Sequence, residues 1–162
     1  MKSKWMLALL GVLAVVGVYA GTVLATPPSG QSTTTLAKAP FEPFNLKAKS
    51  DPPGVWKARL KTKGTSDLYV IDNTFQPGGT SGWHSHPGPS FVFVVSGTIT
   101  NTMKMHRHCM SQDYSAGTGF VDPGGDHLHM IQNNGQVAAR TIAVQFLPVG
   151  ATRRIDEDDP CS

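Results

Sequence analysis

The sequence predicts an all-β domain, a sandwich or small barrel, over residues 55–155. No apolar pattern with a period of 3.6 residues runs for a useful length in this region. Instead, short runs rich in Val, Ile, Thr and aromatic residues alternate with turns that contain Gly and Pro. Seven or eight strands at this spacing would enclose one core, for which about a hundred residues are enough.

The strand candidates follow one another with a turn signal between most of them. VWKARLKTK opens the domain, DLYVIDNTF ends at the turn QPGG, and SFVFVVSG and TITNTM are joined at Gly97. TGFV precedes the turn DPGG, and ARTIAVQFL ends at Pro148. Glycine pairs in these turns permit positive φ angles, which lets the chain reverse between strands.

Residues 1–25 have the layout of a secretory signal peptide or an N-terminal membrane anchor. Lys2 and Lys4 are followed by 21 uncharged residues, and the small residues Ala20 and Ala25 are candidate cleavage sites. Cleavage is the favoured interpretation, and an uncleaved anchor is the alternative because such a run just spans a bilayer. Both predict that the remaining chain is secreted, periplasmic or held at the cell envelope, in the second case by a membrane tether.

Composition also defines the segments on either side of the predicted domain. Residues 26–54 contain six of the twelve prolines and predict a Pro-rich extended tether. Residues 156–162 begin with the acidic run DEDD and predict a solvated tail. Without residues 1–25 the chain keeps 12 basic and 11 acidic residues, a net charge of +1. No basic face is evident, so nucleic acid is not an expected partner.

Two cysteines, Cys109 and Cys161, lie in the part of the chain that is expected to leave the reducing cytoplasm. A disulfide between them is the favoured interpretation, and free thiols or pairing between chains are the alternatives. The bridge would tie the C-terminus to the body of the domain.

All six histidines fall between His84 and His129. His84 and His86 are two residues apart before an apolar strand, so on a strand both side chains project from one face. His127 and His129 repeat this spacing directly after the turn DPGGD. Two pairs on facing strands of a barrel would meet inside it, and imidazoles grouped in this way suit a metal ion.

These residues resemble the two sequence motifs of the cupin superfamily. The first motif corresponds to Gly78, His84, His86 and Gly97, with Ser90 where the family has Glu. The second motif corresponds to Gly117, Pro123, Gly125, His129 and Asn133, with one extra residue before His129. The resemblance covers roughly residues 55–148, nearly the whole predicted domain.

The resemblance implies a single antiparallel jelly-roll β-barrel whose inward histidines hold a divalent metal ion such as Fe, Mn, Ni or Zn. The implied ligands are His84, His86 and His129, and His129 is preferred over His127 because Asn133 then keeps the family spacing. His127 is a candidate fourth ligand. Ser90 is a weak neutral ligand, so three imidazoles would leave the full charge on the metal and favour an anion in the open position.

Several functions are compatible with such a domain. The favoured hypothesis is a metal-binding cupin outside the cytoplasm. As an enzyme, it would be a metal-dependent oxidoreductase, dioxygenase or isomerase acting on a small polar or anionic molecule. The alternative is a non-catalytic module that binds a small ligand or a metal, including a pocket without metal. No separate catalytic base can be named. The resemblance makes a homodimer formed through strand edges a candidate assembly, because cupins often pair in this way, and the sequence leaves the oligomeric state open.

Three further features have alternative interpretations. Asp126 is a turn residue or a ligand, and Gln145 faces either the pocket or solvent. The segment Met103–Met110, MKMHRHCM, contains Met, His and Cys side chains that suit copper. The favoured interpretation of this segment is an exposed loop with Cys109 in a disulfide.

Overall fold

The structure is a computed structural model that describes residues 25–52 and 54–161. Twelve strands occur in these ranges: β1 (Ser29–Phe41), β2 (Asn45–Lys49), β3 (Lys57–Lys61), β4 (Ser66–Thr80), β5 (His84–Ser85), β6 (Ser90–Ser96), β7 (Thr98–Met105), β8 (His108–Ser115), β9 (Gly119–Asp122), β10 (His129–Gln132), β11 (Ala139–Pro148) and β12 (Ile155–Asp156). Within the same ranges, no helix has the length and hydropathy needed to cross a membrane. The predicted signal or anchor at residues 1–25 lies outside the described residues, except for Ala25.

Ten of the twelve strands form one antiparallel sheet that nearly closes into a barrel. Its path runs β12-β5-β10-β4-β11-β6-β9, with β1 added to β4 and the β7–β8 hairpin added to β10. Strands β2 and β3 form a separate two-stranded ribbon. The predicted all-β, single antiparallel jelly-roll barrel is therefore confirmed. It contains more strands than the seven or eight expected, because short pairings such as β5 and β12 carry no sequence pattern of their own.

Strand β4 is the longest element of the sheet, with 15 residues. It pairs with β1 along one edge and with β11 along the other. Alternate residues of β4 point inward, where Ile71 and Phe75 are almost fully buried. Each such side chain stabilises the fold by about 1.5–3 kcal/mol. The buried apolar side chains of the two core clusters are Ile71, Phe75, Val92, Val94, Ile99, Ile131, Ala139 and Ala143.

Strand β1 lies within the region that the sequence analysis describes as a Pro-rich tether, residues 26–54. The structure differs from that expectation, because Gln31 to Phe41 pair along β4 from Phe75 to Ser66. The central part of β1, QSTTTLAKA, contains no proline and three β-branched threonines, which favour a strand. Pro40 is tolerated near the end of β1 because this strand lies at an edge of the sheet.

The ribbon of β2 and β3 contacts the barrel through one aromatic side chain. The Phe44 and Phe146 rings meet edge to face, with 6.4 Å between their centroids. Phe41, by contrast, is 43% exposed. Phe44 thus meets an aromatic ring of the barrel, whereas much of the Phe41 side chain is exposed. The segment VWKARLKTK, expected to be the first strand of the barrel, forms part of this ribbon instead.

The C-terminal segment lies against the barrel. Ile155 and Asp156 form β12, which pairs with Ser85 and His84 of β5. Cys109 is disulfide-bonded to Cys161, which confirms the predicted bridge. The sequence analysis describes residues 156–162 as a solvated acidic tail, whereas Glu157 accepts a hydrogen bond from Ser85 Oγ at 2.9 Å. Pairing with β5 and the disulfide together hold this segment, although its own residues are polar.

Candidate metal centre

His84 and His86 enter the barrel after a tight turn at Gly82. Gly82 has a φ of +65°, and a Cβ atom there would lie 1.8 Å from the carbonyl oxygen of Thr26. Glycine therefore lets the N-terminal segment cross this turn. His84 begins β5 and His86 follows it, and each side chain is 4% exposed. Their rings meet edge to face with centroids 4.8 Å apart.

His129 brings the third imidazole from the second motif. It is the first residue of β10, pairs directly with His84 in the sheet, and is 2% exposed. Its ring centroid lies 4.3 Å from that of His84 and 5.6 Å from that of His86. One ligand atom from each of the three rings lies within 4.8 Å of the other two. Two distant stretches of sequence thus converge at one point inside the barrel.

His127 does not belong to this three-histidine group. The strand begins only at His129, so the rule that residues i and i+2 share a face does not apply to the second pair. The His127 side chain is half-buried, and its Nδ1 atom has no hydrogen-bond partner among the described residues. The structure therefore places the preferred candidate in the group and the proposed fourth ligand outside it.

Each of the three imidazoles is oriented by an oxygen atom next to its Nδ1. The acceptor is the Gly82 carbonyl for His84 at 2.9 Å, the Arg153 carbonyl for His86 at 2.7 Å, and Asn101 Oδ1 for His129 at 3.2 Å. Because a carbonyl oxygen only accepts hydrogen bonds, the proton of His84 and of His86 lies on Nδ1. The amide oxygen of Asn101 also only accepts, so the proton of His129 lies on Nδ1 as well. The Nε2 lone pairs are then available for a metal, as in metal sites with oriented histidines.

Burial keeps these imidazoles in the neutral form that binds metals. Burial lowers the pKa of His86 to about 4 and that of His129 to about 3. For His84, burial lowers the pKa well below its usual range, and the neighbouring His129 adds to the effect. A buried His129 Nε2 without a hydrogen-bond partner among the described residues is costly unless a cation or water binds it. The residues present therefore fit a divalent metal.

The three histidines line a cavity of about 210 Å³ inside the barrel. Strand β4 contributes Asn73 to its wall, and β1 contributes Gln31 and Thr33, which both donate hydrogen bonds to Asn73 Oδ1 at 3.1 and 2.8 Å. The region described as a tether thus forms part of the pocket. The complete lining is Pro28, Gln31, Thr33, Ile71, Asn73, Phe75, Ser81, His84, His86, Ser90, Val92, His129, Ile131, Ala143, Gln145, Arg153 and Arg154.

Ser90, at the position where the resemblance expects Glu, is buried and lines the cavity. Its hydroxyl accepts a hydrogen bond from Gln145 Nε2 at 3.0 Å. Gln145 is 3% exposed, so its strand points it into the pocket, an orientation that the sequence left open. Asp126, by contrast, is exposed in the turn before His127. The hydroxyl and the amide form a neutral polar wall beside His86.

Four residues of this region were not predicted from the sequence. Asn101 orients His129, Asp122 lies 3.7 Å from His129 Nε2, and Arg153 and Arg154 line the cavity. Asp122 directly follows the predicted strand TGFV within the second motif, and a carboxylate placed at the end of an apolar run was an available signal. The arginines lie just before the acidic run, and no local pattern marks them as residues of the pocket.

The segment Met103–Met110 forms the end of β7, a turn and the start of β8. Met103 pairs with Met110, and Lys104 pairs with Cys109 across this hairpin. Because Cys109 is bonded to Cys161, the segment offers no thiolate for copper. The disulfide agrees with the favoured interpretation, whereas the expected exposed loop is wrong, because the segment is a β-hairpin in which Met103 and Met105 are half-buried.

Comparisons with known proteins point to one family. Residues 73–145 match the family model described as a cupin domain. No curated protein matches the chain in sequence. A recombinant oxalate oxidase in complex with glycolate aligns with 22% identity and a TM-score of 0.52, over 82% of this chain and 61% of that one. A cupin domain from Bordetella pertussis Tohama I aligns with 16% identity and a TM-score of 0.46, over 76% of this chain and 97% of that one.

A further similar structure is an oxalate decarboxylase from Lactobacillus farciminis in a formate complex, with 23% identity and a TM-score of 0.49. That alignment covers 55% of this chain and 26% of the decarboxylase. The chain spans about half to three fifths of the length of the oxalate oxidases it matches. The alignment with the glycolate complex supports the barrel fold.

Proposed function

We propose that this chain, whose residues 73–145 match the family model of a cupin domain, is an extracytoplasmic, metal-binding cupin acting on a small anionic molecule. The observation that carries the proposal is the group formed by His84, His86 and His129, whose ligand atoms lie within 4.8 Å of one another. Each ring donates its Nδ1 proton to a neighbouring oxygen. The other ring nitrogen, Nε2, therefore stays available in all three histidines for Fe, Mn, Ni or Zn.

Two arginines at the cavity support an anionic ligand. Arg153 and Arg154 line it together with the histidines, whereas none of the described residues that line it is Asp or Glu. Arg154 is engaged by Asp156 at 2.6 Å and by the Ser81 carbonyl at 2.6 Å. Arg153 makes only a long contact to Gln145 Oε1, at 3.3 Å, and no ion pair with a described residue. Its planar guanidinium therefore has free donors that suit a carboxylate.

The extracytoplasmic location is supported by the disulfide between Cys109 and Cys161. Such bonds persist in oxidising compartments and are rare in the cytoplasm. The apolar run in residues 5–25, read as a signal or anchor, points to the same location.

As an enzyme, the protein would use the metal as a Lewis acid or an oxygen-binding centre for oxidation of the bound anion. In that reaction the chain's own residues bind and orient: Arg153 holds the anion's charge, while Gln145 and Ser90 contact its polar groups. The alternative function is a non-catalytic module that captures a small anion. It is favoured by the cavity wall, where the described lining residues include no carboxylate, Lys, Tyr or Cys to transfer a proton.

Metal content and anion binding test the proposal. Purified without a histidine tag, wild-type protein should hold about one metal ion per chain, and His86→Ala should lose it. His108→Ala, an exposed histidine outside the cavity, is the matched control and should keep the metal. Wild-type protein without bound metal after incubation with Fe, Mn, Ni and Zn would contradict the proposal.

Titration of the metal-loaded protein with malonate should show binding that is weakened at least about tenfold in Arg153→Gln. Arg59→Gln, an exposed arginine of the β2–β3 ribbon, should bind like wild type. Oxygen uptake with small carboxylates, thiols, diketones and phenols then separates the enzyme from the binding module.

A further inference from the structure

Asp122 is a buried carboxylate for which the fold provides little compensation. It ends β9 and is 2% exposed. Its Oδ1 atom accepts one hydrogen bond, from Gly124 N at 3.2 Å. Its Oδ2 atom has no hydrogen-bond partner among the described residues. Burying a charged oxygen without a partner is strongly unfavourable, so this position calls for a cation.

The place of Asp122 in the sheet is the second observation. Asp122 of β9 lies directly opposite Ser90 of β6 in the antiparallel register. Side chains of directly opposed residues project from the same face of a sheet, with their Cβ atoms about 5 Å apart. Ser90 lines the metal cavity and occupies the position where the first cupin motif has Glu. This chain therefore has a carboxylate one strand away from the usual position.

The third observation is what Asp122 faces. Its Oδ2 atom lies 3.7 Å from His129 Nε2, which also lacks a hydrogen-bond partner among the described residues. This separation is too long for a hydrogen bond. Two ligands that each lie about 2.1 Å from one metal ion are separated by roughly 3–4 Å. A single cation beside His129 would satisfy both atoms at once, although Asp122 itself lies outside the group of ligand atoms within 4.8 Å that the three histidines form.

We propose that Asp122 is the fourth protein ligand of the metal, replacing the glutamate that this chain lacks at Ser90. The inference rests on the proposed function, since it assigns a ligand to the same metal centre. The carboxylate approaches the three-histidine group from the side of His129. It gives the site one negative charge and leaves the side with Arg153 open to the anion.

Metal affinity measured in four proteins tests this assignment. Zn²⁺ dissociation constants are obtained by competition with a coloured chelator for wild type, Asp122→Ser, Asp122→Ser with Ser90→Glu, and Asp126→Ser. Removal of the carboxylate should weaken Zn²⁺ binding at least about tenfold. The double variant returns a carboxylate to the family position and should recover most of the affinity. Asp126→Ser removes an exposed carboxylate four residues away and should match wild type.

Two further readouts separate a ligand from a merely structural residue. The visible absorption of the Co²⁺-loaded protein depends on the ligand set, so it should change in Asp122→Ser and return toward wild type in the double variant. Asp122→Asn keeps the shape of the side chain and removes its charge. Without metal it should unfold at a higher temperature than wild type, because a buried charge is removed, and Zn²⁺ should raise its unfolding temperature less. If Asp122→Ser does not fold, Asp122→Asn takes its place in the affinity measurement.

The outcomes distinguish the two proposals. Wild-type affinity and an unchanged Co²⁺ spectrum in both Asp122 variants would overturn the assignment of Asp122 and leave the three-histidine centre standing. A wild-type protein that binds neither Zn²⁺ nor Co²⁺ would overturn both.

Discussion

The imidazole of His86 donates its Nδ1 proton to the backbone carbonyl of Arg153, with 2.7 Å between the two atoms. This bond joins a candidate metal ligand on one side of the barrel to the C-terminal segment. The same segment pairs with β5 through Ile155 and is closed by the disulfide at Cys161. The orientation of one ligand thus depends on the last residues of the predicted domain, which are held in place by the segment that follows them.

Removing the disulfide should loosen this segment. Replacing Cys109 and Cys161 by Ser opens a loop of 52 residues, which costs roughly 4 kcal/mol in the chain-entropy model. Denaturant unfolding should show the loss, and the Zn²⁺ affinity should fall because His86 loses a well-placed acceptor. Reducing agent should destabilise wild-type protein and leave the double variant unchanged. Equal stability of the two oxidised proteins would contradict this account.

Asn101 should act on the metal through His129. It is fully buried, and its Oδ1 atom accepts the Nδ1 proton of His129 at 3.2 Å. Asn101→Ala should weaken Zn²⁺ binding by about 10–100-fold, because such oriented acceptors set the tautomer and basicity of a ligand. The matched control is Asn134→Ala, which removes an exposed amide bonded to Thr100. Isothermal titration of both variants is the measurement, and equal affinities would show that His129 needs no support.

Acid should destabilise the metal-free protein in a window set by the histidines. The pKa of His86 is about 4 and that of His129 about 3 in the folded protein, against about 6.5 in an unfolded chain. Between these values the unfolded chain binds protons that the folded one does not, so stability falls as the pH falls from about 6.5 toward 4. Burial raises the pKa of Asp122, which stabilises the folded protein as the pH falls. This single carboxyl group opposes three histidines, so the net effect of acid is destabilising.

Urea unfolding in the presence of EDTA at several pH values measures this effect. Each histidine adds up to about 1.4 kcal/mol per pH unit within the window. His86→Gln should therefore show a shallower dependence than wild type, and His108→Gln should not. A stability that stays constant from pH 7 to 5 would mean that the imidazoles are readily protonated in the folded protein.

Two adjacent glycines of the DPGG turn offer a matched pair of variants. Gly124 and Gly125 have φ angles of +72° and +71°, so alanine costs about 1 kcal/mol of backbone strain at either position. A Cβ at Gly124 would lie 2.2 Å from the carbonyl oxygen of Gly88, whereas one at Gly125 meets nothing within 4 Å. Gly124→Ala should thus destabilise the protein by roughly 2–4 kcal/mol and Gly125→Ala by about 1 kcal/mol. Equal decreases in unfolding temperature for the two variants would contradict the close contact between Gly124 and the carbonyl of Gly88.

The parts of the fold and site that sequence could predict depend on local patterns. Alternating apolar runs and Gly-Pro turns indicate an all-β domain, and the spacing of His84 and His86 indicates one side of the candidate centre. The choice of His129 over His127 came from the resemblance, because its distance from Asn133 keeps the family spacing, whereas the spacing of the histidines alone left both open. These signals are read from residues that are close in the chain.

The remaining parts depend on pairings between distant segments. Asp122 reaches the site because β9 pairs with β6 in a register that sets it opposite Ser90. Arg153 reaches it because the C-terminal segment pairs with β5, and Asn101 because β7 pairs with β10. No local pattern marks such a register, since it is decided by the packing of the whole barrel. The strand character of β1 was missed for the same reason, because its outward polar residues are stabilised by pairing with β4.

Diffraction from crystals grown with Zn²⁺, measured at the zinc absorption edge, tests the central claim most directly. The account predicts one anomalous peak inside the barrel, about 2.0–2.1 Å from Nε2 of His84, His86 and His129. An empty cavity with peaks only at surface histidines such as His108 would contradict it.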